Sequence, residues 1–234
     1  MIRLKKTEPK RIMIVNRGEI ASRVAKACRE LGHTAIGLYT DNEPNAAHLE
    51  FCDEWVHLEG STNAETYLNV EKILEVAKKY KIDGVPPGYG FLSENANFSR
   101  ICKEHGIKFI GAGPEMIEKM GDKASAKSTM KAAKVPTVPG SDGLLESLDQ
   151  TKKLAKEMGY PVMLKATAGG GGKGMRAVWK EEDLQKAYES AKQEATASFG
   201  NDGMYMEKLI EEPRHIEIQV VGDQFGKACH LSER

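Results

Sequence analysis

Apolar residues in the first half of the chain alternate between short continuous runs and helical spacing, the pattern of a parallel sheet built from βαβ units. Arg11-Ile-Met-Ile-Val15 reads as a buried strand. From Glu19 to Leu31, the apolar Ile20, Val24, Ala27 and Leu31 fall on one helical face, and Gly32 supplies the stop. Thr34-Ala-Ile-Gly-Leu-Tyr39 is a second strand. Val70 to Tyr80 is a second helix, with Ile73, Leu74, Val76 and Ala77 on its apolar side. Short strands at Ile82 to Val85 and Ile107 to Ile110 bracket a helix from about Asn95 to His105.

The pattern then changes. Pro114 to Ala133 reads as helix in two pieces, broken near Gly121-Asp122. Val135-Pro-Thr-Val-Pro-Gly-Ser141 has the composition of a hinge-like linker. Ser147 to Met158 is a helix, with Gly159 as its C-cap and Pro161 just beyond. Two strands follow, Tyr160-Pro-Val-Met-Leu164 and Gly174-Met-Arg-Ala-Val-Trp179, then a long helix from Glu181 to Ala197. Met204 to Leu209 and His215 to Val221 close the series as strands. In the last, Ile216, Ile218 and Val220 face one side while His215, Glu217 and Gln219 face the other. The fold class expected is α/β: a Rossmann-like parallel-sheet domain followed by a smaller α+β lid.

Composition narrows the function classes. Lysine and arginine total 34, as do aspartate and glutamate, so no net field points to nucleic acid or an anionic membrane. No apolar run approaches the ~20 residues of a membrane span, and the basic N-terminus lacks the apolar core of a secretory signal. Cys28, Cys52, Cys102 and Cys229 are scattered, which suits small core or surface residues of a reduced, cytoplasmic protein better than metal ligands or disulfides. The first βα turn, Val15-Asn-Arg-Gly-Glu19, has one glycine where a dinucleotide fingerprint needs three, which argues against NAD or FAD.

The densest chemistry lies between the two strands that flank Gly169 to Gly172. There Lys165-Ala-Thr-Ala-Gly-Gly-Gly-Gly-Lys-Gly-Met-Arg176 joins strand to strand through four consecutive glycines with a lysine on each side. Unobstructed backbone N–H groups close over phosphate oxygens, and lysine serves there as a point charge. The stretch is not a P-loop: Thr167 stands where that motif needs its first glycine, and a strand follows instead of a helix. A plain flexible linker is the competing reading, but glycine linkers come with polar flanks, and these are apolar. Glycine's backbone freedom leads us to expect that Gly169 to Gly174 is poorly ordered without nucleotide.

Seven segments together resemble biotin carboxylase, the ATP-grasp component of biotin-dependent carboxylases. They are Asn16-Arg-Gly-Glu-Ile-Ala21, Pro87-Gly-Tyr-Gly-Phe-Leu-Ser-Glu-Asn95, Met120-Gly-Asp-Lys123, Val138-Pro-Gly-Ser141, Lys165 through Arg176, Tyr205-Met-Glu-Lys208 and Pro213-Arg-His-Ile-Glu-Ile-Gln219. The resemblance runs from about residue 10 to the last residue. It implies a Rossmann-like domain over residues 1–112, a helical linker over 113–140, an ATP-grasp lid over 141–210 and the start of a truncated catalytic subdomain over 211–234. In such enzymes ATP phosphorylates bicarbonate to carboxyphosphate, and the N1 nitrogen of biotin takes the carboxyl group. The resemblance further implies that Lys123 and Lys165 contact the nucleotide phosphates and that the Gly171 and Gly172 backbone lies on them. Met175 joins the ATP-binding set, Glu207, Lys208, Leu209 and Ile210 meet the adenine through backbone groups, and His215 contacts the nucleotide. Tyr89 and Glu94 match the biotin and bicarbonate side of the cleft.

Departures are visible too. Pro86 stands where the family usually has histidine, Ala168 where it often has glycine, and Lys173 where arginine is common. The chain stops at Leu231-Ser-Glu-Arg234, in mid-motif, at about half the family's length. The carboxylates that hold Mg²⁺ and the cations that bind bicarbonate are therefore expected beyond Arg234, no metal ligand is assigned, and no catalytic residue is assigned within the chain. The fragment alone is expected to be inactive, with the strand from His215 onward left as an unpaired edge that promotes self-association. The complete protein is expected to be a homo-oligomer that serves a biotin carboxyl carrier protein and a carboxyltransferase; the sequence leaves open an acetyl-CoA carboxylase of fatty acid biosynthesis, a propionyl-CoA carboxylase or a pyruvate carboxylase. Two other readings stay open: a nucleotide-binding or structural module without activity, and another ATP-grasp ligase.

Overall fold

The computed structural model describes residues 8–121, 123–167, 174–223 and 225–233, with the side chains of residues 123, 124 and 199 outside the description. The chain forms two compact units, Met1–Thr129 and Met130–Arg234.

The first unit is a five-stranded parallel sheet. Its strands are β1 (Arg11–Ile14), β2 (Thr34–Thr40), β3 (Glu54–Leu58), β4 (Gly84–Val85) and β5 (Lys108–Phe109), in the order β3-β2-β1-β4-β5. The chain winds outward from β1 in both directions, so the switch point lies between β1 and β4, where open α/β sheets form crevices. Helices α1 (Gly18–Leu31), α2 (Val70–Lys79) and α3 (Ala96–Glu104) begin and end on local signals. Asn69 and Asn95 cap α2 and α3 by accepting from the Lys72 and Phe98 amides, and Gly32 ends α1 in the left-handed region. Met13, Val15, Ile36, Leu38, Tyr67, Ile73 and Phe98 pack into the main core, and Ala21, Ala25, Cys28 and Cys52 into a second one.

Strand β3 is not among the strands expected from the sequence. It is an edge strand, buried on one face only: Val56 and Leu58 point in, while Trp55 and His57 point out. Exposed aromatic side chains break the apolar run that marks a strand buried on both faces. A 3₁₀ turn, Ala47–Phe51, leads into it.

Helices α4 (Pro114–Gly121) and α5 (Lys123–Ala132) are the two expected pieces, and the division between the compact units falls within α5. The second unit contains α6 (Leu148–Met158), β6 (Val162–Ala166), β7 (Met175–Val178), α7 (Glu181–Phe199) and β8 (Met204–Lys208). The three strands form an antiparallel sheet in the order β7-β6-β8. One face packs on the helices: Val162, Leu164, Ala166, Val178, Met204 and Met206 meet Ala155, Leu184, Tyr188, Ala191 and Ala195. The stretch expected as a hinge is tied to β8 at its far end. Lys208 N–H donates to the Pro139 carbonyl (2.8 Å), and the Ser141 N–H donates to the Met206 carbonyl (2.8 Å). A proline lacks an N–H but keeps its carbonyl, so such a segment can still border a sheet.

The last strand differs from expectation. β9 spans Ile218–Gly222, three residues later than the alternation predicted, so His215 precedes it. It is also paired, through an antiparallel hairpin with β10 (Ala228–Glu233), a strand the sequence pattern did not mark. Both strands are exposed along their length.

All four cysteines are free; Cys28, Cys52 and Cys102 are buried and Cys229 is exposed. Burial raises the Cys28 thiol above its ordinary value and pushes Cys52 and Cys102 up to about 11. Near pH 8 a disulfide reagent is therefore expected to label Cys229 quickly and the other three only after unfolding. Thiol counting with peptide mapping checks this; fast labelling of Cys52 would contradict the packing.

Candidate functional site

Alternation along β6 and β8 sends every second side chain away from the helices. Register makes that face concrete: Lys165 lies opposite both Met175 and Tyr205, and Met163 opposite both Ala177 and Glu207. Met163, Lys165, Met175, Ala177, Tyr205 and Glu207 therefore share the open face. Lys165 Nζ donates to Glu207 Oε2 at 2.5 Å, and the two side chains keep only 27% and 23% of their exposure.

Cations of the opposite face have other tasks. Arg176 on β7 pairs with Glu194 of α7 at 2.9 Å. Lys208 Nζ donates to the carbonyl of Gly159 at 3.0 Å, fastening the end of α6 to the sheet. So Lys208, one of the residues expected at a nucleotide, directs its side chain into the fold. The Lys208 and Leu209 amides are also committed, to the carbonyls of Pro139 (2.8 Å) and Pro161 (3.1 Å). A purine edge at residues 207–210 would have to be met by other backbone groups of that segment. Ile210 is 49% exposed beside it.

The connection from β6 to β7 leaves the same end of the sheet as Lys165. Gly174 closes it with φ +71°, and a Cβ there would approach the Ala166 Cβ to 2.6 Å. Its N–H donates to Glu194 Oε2 at 3.0 Å. Gly174→Ala is therefore expected to destabilise the second unit by about 1–3 kcal/mol, from the left-handed backbone and the overlap together. Urea denaturation measures it, and an unchanged midpoint would refute the close approach. Gly171, Gly172 and Lys173 lie outside the described residues, as does the Lys123 side chain. The expected poor order over Gly169 to Gly174 concerns residues of which only Gly174 is described.

Met175 is 37% exposed at the edge of the open face. His215 is almost fully exposed, 3.4 Å from Glu217 and outside any strand, so the expected polar strand face does not present it.

Tyr89 and Glu94 belong to the first unit. Tyr89 is exposed and lines a cavity of about 440 Å³ with Asn16, Arg17, Glu19, Glu43 and Phe91, at the end of β1 and the start of α1. Glu94 is exposed and does not line it. The sequence pattern marked the Asn16 motif without giving it a task. Buried Asn16 donates through Nδ2 to the carbonyls of Pro87 and Tyr89, both at 2.7 Å, and so holds the glycine-rich turn on β1. Gly88 makes this possible: its φ is +66°, and a Cβ would lie 2.9 Å from Ile20 and 3.0 Å from Asn16 Nδ2. Arg17 pairs with Glu43 and lies 6.0 Å from the centre of the Phe91 ring.

Among the described residues, no group of three or more histidine, cysteine, aspartate or glutamate side chains is placed to hold a metal ion. Also among them, no helix is long and apolar enough to cross a membrane.

Comparison with known proteins converges on one family. Residues 8–117 match the biotin carboxylase N-terminal domain, and residues 122–234 match the ATP-binding domain of the carbamoyl-phosphate synthase L chain. The biotin carboxylase of a Nostoc species is 50% identical over 224 residues, which is 96% of this chain and 50% of that protein. The small subunit of 2-oxoglutarate carboxylase from Hydrogenobacter thermophilus is 49% identical over 225 residues, 96% of this chain and 48% of that one. A crystal structure of a biotin carboxylase–beta-gamma-ATP complex from Campylobacter jejuni superposes with a TM-score of 0.83 at 51% identity, covering 95% of this chain and 50% of that one. The chain spans about half the length of the curated relatives it matches. With both halves of the chain accounted for in order, it belongs to the biotin carboxylase family and corresponds to the N-terminal half of its members.

Proposed function

We propose that this chain supplies the nucleotide-gripping part of a biotin carboxylase. The complete protein would use ATP to activate bicarbonate as carboxyphosphate, releasing ADP, and would pass the carboxyl group to biotin N1 with release of phosphate. The observation that carries this reading is the open face of β6, β7 and β8. It carries Lys165 on the strand that leads into the glycine-rich connection, with apolar Met163 and Met175 along the same face. A cation near bare backbone amides suits polyphosphate, and thioether and aromatic side chains suit a purine. Lys123, Gly171, Gly172 and His215 are proposed to join it, with the backbone of residues 207–210 at the purine. Tyr89 and Glu94 are proposed for the biotin and bicarbonate side.

Relatives have been crystallised with MgADP and bicarbonate, which is the ligand set this reading assigns to the complete protein. A biotin carboxyl carrier and a carboxyltransferase are the proposed partners, in a cytoplasmic homo-oligomer. The resemblance alone leaves acetyl-CoA, propionyl-CoA, pyruvate and 2-oxoglutarate as acceptors served by the same half-reaction, since a 2-oxoglutarate carboxylase subunit and a pyruvate carboxylase are 49% and 47% identical to this chain.

Phosphoryl transfer depends on positioning and charge neutralisation, and the chain alone offers only part of both. The purified 234-residue chain is expected to bind ADP weakly and to show no biotin-dependent phosphate release from ATP. Release near that of a protein of the relatives' full length, with host carboxylase removed, would overturn the inactivity; no binding of ADP at millimolar concentration would overturn the nucleotide reading.

A further inference from the structure

The pair Lys165–Glu207 is not a cross-strand pair of directly opposed residues. Lys165 faces Tyr205, and Glu207 faces Met163, so the two are offset by two positions, ~7 Å along the strands. The offset has a direction. Lys165 is next to Ala166 and Thr167, where the glycine-rich connection begins, while Glu207 is next to Lys208 and Leu209 at the other end of the sheet. A 2.5 Å contact therefore draws the ammonium back along the open face, away from the glycine-rich connection. Among the six described residues of that face, Lys165 is the one cation and Glu207 the one anion. The neighbouring cations Arg176 and Lys208 are engaged on the helix side, with Glu194 and with the Gly159 carbonyl, and cannot replace it.

One ammonium thus stands between two anionic claims. We propose that Glu207 is a specificity-determining residue that competes with the phosphates of the ligand for Lys165. The inference rests on the nucleotide reading given above. Its consequence is a penalty on every ligand that reaches Lys165 through phosphate, which narrows the preference for ADP over adenosine. Any ligand that engages Lys165 through phosphate must first break its ion pair with Glu207, whereas adenosine need not. The purine's contribution at the 207–210 end is common to ADP and adenosine, so the phosphates alone draw the ammonium forward. Glu207 then acts as a built-in stand-in for phosphate, holding the ammonium until a phosphate displaces it.

The test uses the 234-residue chain itself. Affinities for ADP and for adenosine are measured by calorimetry for the wild type, Glu207→Gln and Glu207→Asp. Their ratio cancels any contact of Glu207 with the purine, because both ligands carry it. Glu207→Gln is expected to raise the preference for ADP over adenosine by about fivefold, the size of a partly buried ion pair, and Glu207→Asp to leave it close to wild type. In parallel, the acylation rate of Lys165 is followed by peptide mapping. It is expected to rise severalfold in Glu207→Gln without nucleotide and to fall on adding ADP. An unchanged ratio, or ADP weakened more than adenosine, overturns the competition while leaving the nucleotide reading intact. A wild type that binds neither ligand overturns both. Unchanged Lys165 acylation in Glu207→Gln overturns the ion pair itself. Matching thermal melts for the three chains exclude misfolding as the cause.

Discussion

Lys165→Gln, placed in a protein of the full length of its relatives, is expected to lower kcat/KM for ATP by about 2–4 kcal/mol of transition-state stabilisation, a factor of roughly 30 to 1,000. Lys165 is held in strand β6 with its side chain on the open face, so in the proposed site its ammonium would meet the ligand from a rigid element. Glutamine keeps much of the length but brings no charge, and a neutral amide cannot offset the charge on a transferring phosphoryl group. The loss has a second source. With Lys165 neutral, Glu207 stays on the same face as an anion beside a polyphosphate. Adding Glu207→Gln to Lys165→Gln should therefore recover part of the loss, a non-additivity that a double-mutant cycle reads directly. Lys173→Gln is expected to cost much less, since that position matches a variable choice in the family. Biotin-dependent phosphate release across ATP concentrations separates the cases. Equal losses at Lys165 and Lys173 would remove Lys165 from the phosphate site.

Much of this was legible because apolar runs and caps act locally. The helix expected to begin at Ser147 does so, as Ser147 accepts from the Gln150 amide before any tertiary contact is needed. The strands of the parallel sheet were legible where both faces are buried, as in Ile12 to Ile14. Edge elements were not: β3 hides behind exposed Trp55 and His57, and β10 carries no alternation of burial at all. The position of β9 departs from the expected one for the same reason. Alternation from Ile216 to Val220 suggests a half-buried strand, yet Ile216, Ile218 and Val220 are all exposed here, so no buried face pins the start. At the candidate site, a motif marks candidate residues but not where their side chains go. Lys208 stands beside Glu207 in sequence, and strand pleating sends it to the opposite face, into the Gly159 carbonyl. The Lys165–Glu207 pair depends on antiparallel register across 42 residues of chain, which no local pattern encodes.

Leu164→Ala is expected to destabilise the second unit by about 2–5 kcal/mol, the largest effect of any single core truncation argued for that unit. Leu164 is fully buried on the central strand of the three-stranded sheet and packs in the cluster that holds Leu184, Tyr188 and Met206. Truncation removes its apolar contacts and leaves a cavity that strands on both sides prevent from closing. Its neighbour Met163 provides the control. That side chain is half-buried on the open face, so Met163→Ala should cost about 1 kcal/mol or less. Each unit holds one tryptophan, Trp55 in the first and Trp179 in the second, which gives a clean reporter. In a Trp55→Phe background, the fluorescence of Trp179 follows unfolding of the second unit alone, which matters because a chain of two units need not unfold in one step. Leu164→Ala should shift the urea midpoint of that transition far below that of Met163→Ala. Similar midpoints for the two would mean that the faces of β6 are assigned the wrong way round. Lys165, one residue further along, would then point into the helices instead of onto the open face, and the proposed nucleotide site would lose its central cation.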